Sequence, residues 1–322
     1  MAFTSYADIY DPENILQLVG NDWINEARIA GSPIVVRDMR PTKGTRTSEI
    51  RQTLFQDTTG QAIAAGGTIA SQKETQNIKY HPVVWRYQAA DQPDVINEIT
   101  VNDVPKINAD MAGEIRKAAA QYVDNSAVEV IKSTGAALTA NQFGTGLVTL
   151  SLTELVNTKA KLLDNGELLT GGAIVMRNEP FYKLVKLGLV AATSNTFGNA
   201  HQDQMVSDGK LPNTVLGMSP YVTDKFASLG SDKYYIYLIG TGALRIRGND
   251  TPEVEVAKDV ANKRKATITL ISVSYGIGFD GMNWGGAGSE QVTDTSLGTS
   301  GNWSLGAGNA KHVPICRLHT TI

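Results

Sequence analysis

The sequence predicts an α+β fold, and three observations carry the prediction. Residues 46 to 90 read as a long two-stranded arm with no core of its own, residues 103 to 134 read as one long helix, and the chain turns to strands after position 213. Isolated two-stranded hairpins are marginal in water, so an arm of this length has to lie on something. The rest of the chain offers no obvious second sheet for it, and the expected support is another copy of the same protein.

Composition sets the outer bounds. At 322 residues with 42% hydrophobic content, the chain has enough apolar material for one large or two ordinary domains. The charged fraction of 19% lies below the roughly 25% of an average soluble domain, as expected where partners cover part of the surface. A net charge of -3 gives no global basic field for holding nucleic acid by counterion release, so any such contact is local and weak. The single cysteine, Cys316, rules out an intrachain disulfide and a Cys cluster for zinc, and reads as a small buried apolar residue. Met1 to Tyr10 carries Asp8 and lacks the basic start and apolar run of a secretory signal. No stretch approaches the roughly 18 apolar residues of a membrane span, so no membrane partner is expected.

Residues 1 to 45 start with Asp8, Asp11 and Glu13, followed by a short amphipathic run of Ile15, Leu16, Val19, Trp23 and Ile24. Three helical turns at most are too short to stand alone, and the segment reads as an N-terminal arm. Arg37, Arg40, Lys43, Arg46 and Arg51 then stand against only Asp38 and Glu49, a basic run that reads first as a solvated linker and second as a contact to an acidic neighbour or a packaged polyanion. In the extended loop, residues 46 to 92, one strand carries Ile50, Leu54 and Phe55 and the other Ile78, Tyr80, Val83, Trp85 and Tyr87. A phase slip at Pro82 predicts an edge position or a bulge. Residues 57 to 71, almost wholly Thr, Gly, Ala, Gln and Ile, form the tip. The apolar stripe of this hairpin, Ile50, Leu54, Phe55, Ile78, Tyr80, Trp85 and Tyr87, is the candidate intersubunit contact.

Asn102 or Asp103 caps the next helix, with Pro105 in its first turn, where a missing N–H costs little. Val104, Ile107, Met111, Ile115, Ala118 and Tyr122 recur at spacings of three and four, continue through Val123, Ala127, Val130 and Ile131, and stop at Gly135. At 1.5 Å per residue this is a rod of roughly 45 Å. A helix over 151 to 164, a strand at Ala173-Ile174-Val175-Met176 and a helix from Asn178 to Gly188 follow. After a loose stretch, Thr214 to Leu216 and Tyr221 to Thr223 flank a turn at Ser219-Pro220. Tyr234 to Ile239 and Ala243 to Arg247 flank a hairpin turn at Gly240-Thr241-Gly242. Strands at Val254 to Val256, Ala266 to Tyr275 and Val313 to Leu318 complete the set, and residues 285 to 309 form a Gly-rich loop or insertion.

Chemistry is sparse. His81, His201, His312 and His319 have no second ligand at helical or hairpin spacing, so no metal site is expected. Gly240-Thr241-Gly242 lacks the third glycine and the following helix of a dinucleotide fingerprint, and no Walker-type loop or nucleophile elbow occurs. No catalytic residue, cofactor or metal ligand is therefore assigned. Lys263-Arg264-Lys265, the densest basic run, reads first as a solvated turn entering the long strand and second as a candidate for contact with nucleic acid or a partner.

Several stretches, in this order, carry a resemblance over about 270 residues. They are Ala118-Ala119-Ala120-Gln121-Tyr122 with Ile131, Leu152 to Leu163 followed by Ala173-Ile174-Val175-Met176, and Leu216-Gly217-Met218-Ser219-Pro220-Tyr221-Val222-Thr223-Asp224. Gly276 to Trp284, Asn302-Trp303 and Lys311-His312-Val313-Pro314-Ile315-Cys316-Arg317-Leu318 extend it to the C-terminal part. Together with the order of parts, they resemble tailed-bacteriophage major capsid proteins of the Hong Kong phage type. The resemblance implies an N-terminal arm at 1–45, an extended loop at 46–92, a peripheral domain from 93–137 and 262–322 with a long spine helix, and a mixed α/β axial domain at 138–261. It implies a structural, non-enzymatic coat protein that assembles as hexamers and pentamers into an icosahedral head around double-stranded DNA. The implied partners are copies of itself, portal, scaffolding and decoration proteins, and packaged DNA by weak non-specific contact. The implied location is the virion capsid, with host cytoplasm during assembly. The short N-terminal part leaves scaffolding to a separate protein or a segment already removed. An encapsulin-type nanocompartment shell is the alternative with the same fold, and an α/β enzyme with an unrecognised site is the alternative of another class.

Overall fold

The computed structural model describes residues 27–29, 31–38, 47–54, 75–93, 104–164, 172–186, 216–226, 229–230, 232–248, 253–258, 266–286, 292–306 and 309–322. The first half holds strands β1 (Val35–Asp38), β2 (Thr47–Leu54), β3 (Thr75–Pro93), β4 (Gln142–Thr149), β5 (Ala173–Met176) and β6 (Ser219–Val222). The second holds β7 (Lys233–Ile239), β8 (Leu244–Arg247), β9 (Glu253–Lys258), β10 (Ala266–Phe279), β11 (Met282–Trp284), β12 (Trp303–Leu305) and β13 (Ile315–Thr321). The α-helices are α1 (Val104–Ala137), α2 (Leu152–Asp164), α3 (Asn178–Lys186) and α4 (Asp294–Leu297). Six strands make one sheet in the order β1-β8-β10-β3-β2 with β9 also on β10, five make a second in the order β4-β13-β7-β5-β6, and β11 pairs β12.

The five-stranded sheet is apolar on both faces, and the alternation of side chains sorts its residues between two cores. Ile174, Met176, Ile236, Leu238, Cys316 and Leu318 pack with Leu155 and Leu162 of α2 and Phe181 and Leu184 of α3. Ala173, Val175, Tyr237, Ile239 and Ile315 point the other way, into a core shared with α1 and with Leu244, Ile246, Val273, Tyr275 and Ile277 of the six-stranded sheet. Helix α1 meets both sheets, touching β10 and β13. Its buried stripe, Ile115, Ala119, Val123, Ala127, Val130 and Ile131, is why a single helix of about 51 Å can be the common wall of two layers.

Helix α1 runs through Gly135 to Ala137, three residues past the expected last residue at 134. Gly135 is a point of close approach: a Cβ there would stand 2.7 Å from Tyr237 Cε1, so the missing side chain lets the helix lie against β7. The expected turn at Ser219-Pro220 is strand β6, at the edge of its sheet, where proline's missing donor is tolerated. The turn precedes it, with Leu216 and Gly217 at φ 53° and 77°. The expected hairpin about Gly240-Thr241-Gly242 is a crossing between sheets: β7 pairs β13 and β5, whereas β8 pairs β1 and β10. The amide N–H of Gly240 donates to Pro314 and that of Gly242 to Pro33, so the two glycines are held by different layers. Strand β4 had no counterpart in the sequence reading.

Three strands cross the division into peripheral and axial domains expected from the resemblance. β8 and β9, from the 138–261 part, lie in the sheet of β3 and β10, and β13, from the 262–322 part, lies in the sheet of β5 and β7. The 1–45 segment is not wholly an arm either. Ala27, Ile29 and Ile34 are in the core, β1 pairs in parallel with β8, and Asp124 of α1 accepts the amides of Arg28 and Ile29 at 2.9 Å each. The amphipathic stretch of Ile15 to Ile24, the caps Asn102 and Asp103, and the loose stretch before Asn213 lie outside the described residues.

Gly172, entering β5, is the tightest point of the second sheet, since a Cβ there would lie 2.2 Å from the Ile239 carbonyl oxygen and 2.8 Å from Met218 Cε. Overpacking costs about 1–3 kcal/mol where side chains yield, and more where the obstacle is paired backbone. Gly172→Ala is therefore expected to lower the thermal midpoint of the subunit by about 5 °C or more in a circular-dichroism melt. An unchanged midpoint would refute the close packing of Gly172 on β7.

Candidate assembly interface

The extended hairpin is built differently along its length. Over its outer part β2 and β3 pair from Leu54↔Thr75 to Thr47↔Pro82, and from Val83↔Gly276 to Ala266↔Pro93 β3 pairs β10. The chain thus does supply a sheet for the return strand, which corrects the expectation that it could not. Both pairings run in unbroken register, so Pro82 carries no bulge; it ends the stretch of β3 paired with β2 alone, the edge position that was the other expectation. At this root His81, Pro82, Val83 and Val84 are buried. The His81 ring sits on Gly278, where a Cβ would lie 2.3 Å from its Cγ.

A polar cluster ties the root to the spine helix. Arg86 of β3 donates to Asp294 of α4 and, at 3.2 Å, to Ser126 Oγ of α1. Ser126 Oγ stands 3.1 Å from Asp294 Oδ1 and 2.9 Å from the Tyr275 hydroxyl of β10, and that hydroxyl donates to the Tyr122 carbonyl at 3.1 Å. Burial pushes Tyr275 up to about 12, so it stays a neutral donor across the working pH range. Four elements meet in this cluster, and the sequence reading placed none of its members in a site. The one local signal was Thr293-x-x-Ser296, a reciprocal capping box inside the Gly-rich segment. Residues 292–306 are accordingly not a loose insertion: Val292, Leu297 and Trp303 are buried in the main core.

The candidate contact residues distribute as follows. Ile50 pairs with Lys79, Leu54 with Thr75, Ile78 with Arg51 and Tyr80 with Glu49 on the β2/β3 hairpin. Trp85 pairs with Ser274 and Tyr87 with Ser272 on β10, so these two belong to the rooted part of β3. Phe55 lies outside the described residues. Of the basic candidates, Arg37 is half-buried on β1, paired with Ile246, whereas Arg40, Lys43, Arg46, Lys263, Arg264 and Lys265 lie outside the described residues. Exposed large apolar side chains that the sequence did not single out are Val36, Val156, Tyr182, Leu229 and Leu305, with Tyr182 of α3 the most open at 58%.

Among the described residues, no cluster of three or more His, Cys, Asp or Glu side chains could hold a metal ion. Likewise, no helix among them is long and apolar enough to cross a membrane. Arg177 grips Glu179 through two contacts of 3.0 Å and donates to the Phe226 carbonyl at 2.7 Å. The guanidinium holds that carboxyl below its usual range, as in a structural ion pair. His319 of β13 meets Tyr235 edge-on at 4.5 Å, and Arg317, two residues before it on the same strand face, lies over the Tyr235 ring with its guanidinium carbon 4.6 Å from the centroid. Burial, with the Arg317 charge second, lowers the His319 pKa below 6.5. The unfolded chain therefore takes up a proton at a pH where the folded chain does not, and this contribution to stability, intact above 6.5, is lost as pH falls toward the folded value. The thermal midpoint is expected to drop between pH 7 and pH 5, and His319→Gln to flatten that slope; equal slopes would refute the assignment.

The main structural comparison is with phage particles. The chain superposes on a structure from cyanophage Pam1, a capsid asymmetric unit, with a TM-score of 0.52 and 11% identity, covering 100% of this chain and 94% of that one. A chain from Mycobacterium phage Che8 gives 0.50 and 13% identity over 86% of this chain and 88% of that one. One from the mature capsid of bacteriophage PhiM1 gives 0.50 and 10% identity over 77% and 82%. At such identities the likeness is one of fold. No curated protein sequence matches significantly. The family described as Gp13-like, major capsid protein 13-like, matches residues 49–314, from the β2 arm strand to the threshold of β13. The chain belongs to this Gp13-like family of major capsid proteins.

Proposed function

We propose that this major capsid protein closes into an icosahedral head of hexamers and pentamers around double-stranded DNA, with the arm as the interlock between neighbouring subunits. The observation that supports the reading most is the two-part β3. Its inner half is bound into the subunit's own sheet, while its outer half, with β2, forms a hairpin whose eight pairs carry no third strand among the described residues. Such a hairpin gains stability when it is laid on a second surface. Ile50, Leu54, Phe55, Ile78 and Tyr80 are the proposed contacts along it, with Trp85 and Tyr87 nearer the root. Exposed Tyr182 is of the residue type that anchors interfaces and is proposed as a contact of the five-stranded layer.

Closure follows from symmetry: each subunit contributes the same few contacts, and their repetition holds the shell. Arg37, Arg40, Lys43, Arg46, Lys263, Arg264 and Lys265 are the proposed points of weak DNA contact, acting locally against a net charge of -3. Portal, scaffolding and decoration proteins complete the partners, assembly proceeds in the host cytoplasm, and the role is mechanical without enzymatic turnover. Negative-stain electron microscopy of the purified protein, with the same sample on a sizing column, tests the reading. Hollow shells or six- and five-membered rings are expected; a protein that stays monomeric at high concentration and with candidate scaffold present would overturn it.

A further inference from the structure

We propose that residues 292–305 form a brace that sets the pitch of the arm, with Asp294 as its point of contact. The inference extends the reading of the arm as an intersubunit element and rests on it. The brace is rigid by construction. Thr293 Oγ1 accepts the Ser296 amide at 3.2 Å and Ser296 Oγ accepts the Thr293 amide at 2.9 Å, closing the capping box. Asn302 donates to the Ser296 carbonyl at 2.9 Å and Trp303 Nε1 to the Leu297 carbonyl at 2.8 Å. The Trp303 ring stands edge-on to Trp284 at 5.0 Å, and Leu297 is fully buried. Gly298 lies against the Glu129 carboxylate of α1, so closely that any side chain there would displace it.

From this platform Asp294 accepts Arg86 from the arm strand and Ser126 from the spine. Arg86 is 16% exposed and Asp294 42%, so solvent screens the pair and it adds little to stability by itself. Partly buried charge pairs are weak evidence for stability, and their best-attested use is to fix register. Register matters here because the arm is a lever. From Val83, the last residue paired with β10, to Thr75, β3 spans about 26 Å at roughly 3.3 Å per residue, so a rotation of about 5° there moves Thr75 by about 2 Å. That displacement is enough to break side-chain contacts on a neighbouring copy. The brace thereby couples a segment of low sequence complexity to the place where subunits meet.

Spin labels on cysteines introduced at positions 76 and 114 report the arm's angle to the spine in the full-length, unassembled chain, and buried Cys316 does not take the label. Asp294→Asn is expected to widen the distance distribution about twofold, and Ser126→Ala to widen it less, with thermal midpoints close to the parent. A distribution as narrow as the parent's in Asp294→Asn would overturn the proposal. So would widening that appears only together with a collapsed midpoint, because that would be general loosening. The labels are read before assembly, so failure of the brace is separable from failure of the arm as an interlock, which shows as parent protein forming neither rings nor shells.

Discussion

Ile131→Asp is expected to yield no soluble folded subunit. Ile131 is fully buried on α1, in the core that contains residues of both sheets. Truncation alone, as in Ile131→Ala, removes transfer energy and leaves a cavity, at a cost of about 2–5 kcal/mol. Aspartate adds a carboxylate among the apolar side chains of that core, and burying a charge without a partner costs several kcal/mol more, or forces the group to stay protonated. A domain is stable by only about 5–15 kcal/mol, so the two costs together consume most or all of that margin. The conservative pair Ile131→Val, at about 0.5–1.5 kcal/mol, should express and assemble normally. Fractionation of the expressed protein and a circular-dichroism melt check both. A cooperative melt near the parent midpoint for Ile131→Asp would sink the placement of α1 as the wall between the two sheets.

The spine was legible in the sequence because a three-four spacing of apolar residues has few other readings, and Ile115, Val123, Ala127 and Ile131 are buried as that pattern requires. The strand at Ala173 to Met176 was legible for a different reason. Four consecutive apolar residues bounded by glycine and Arg177-Asn178 suit a strand covered on both faces, and α2, α3 and the main core do cover it. The sequence was silent on partners. Nothing local distinguishes Gly240-Thr241-Gly242 as a hairpin from the same residues as a crossing between sheets, since both need glycine and both follow a strand. Gly135 misled for the same reason. Glycine ends helices often, but it also permits contact between a helix and a sheet, and only the position of Tyr237 decides between them.

The extended hairpin proposed as the assembly contact was legible in outline only. Hairpin strands with an aromatic and aliphatic stripe pointed to the arm, yet Trp85 and Tyr87 proved to be on the segment paired with β10, because the sequence does not mark where β3 changes partner. The brace was hidden by composition. Gly, Ser, Thr and Asn dominate 285 to 309, and the residues that fold it, Val292, Leu297 and Trp303, are too few and too far apart to show a period. Side-chain hydrogen bonds to backbone within the segment do the organising there, and the segment packs on α1.

Replacing residues 55–74 by Asn-Gly is expected to leave the subunit folded and to weaken the shell. Leu54 and Thr75 are opposed residues at the end of the β2/β3 ladder, so a two-residue type I′ turn can close the hairpin there without disturbing the eight pairs below it. Most of the excised stretch, residues 57 to 71, is almost wholly Thr, Gly, Ala, Gln and Ile, with few large apolar side chains to give to a core. Subunit melting should therefore stay close to the parent. The particle is another matter, because the excision removes Phe55 and the whole tip from every copy at once. Loss of one anchoring contact costs about 2 kcal/mol, and in chains of this size each kcal/mol moves a midpoint by about 2–4 °C. Particles should then come apart roughly 4–8 °C lower, with the loss shared by all symmetry-related contacts so that the transition shifts as a whole. Light scattering during heating, read beside the subunit melt, separates the two effects. Particles that withstand heating as well as the parent would exclude the tip from the interlock and confine it to the paired strands.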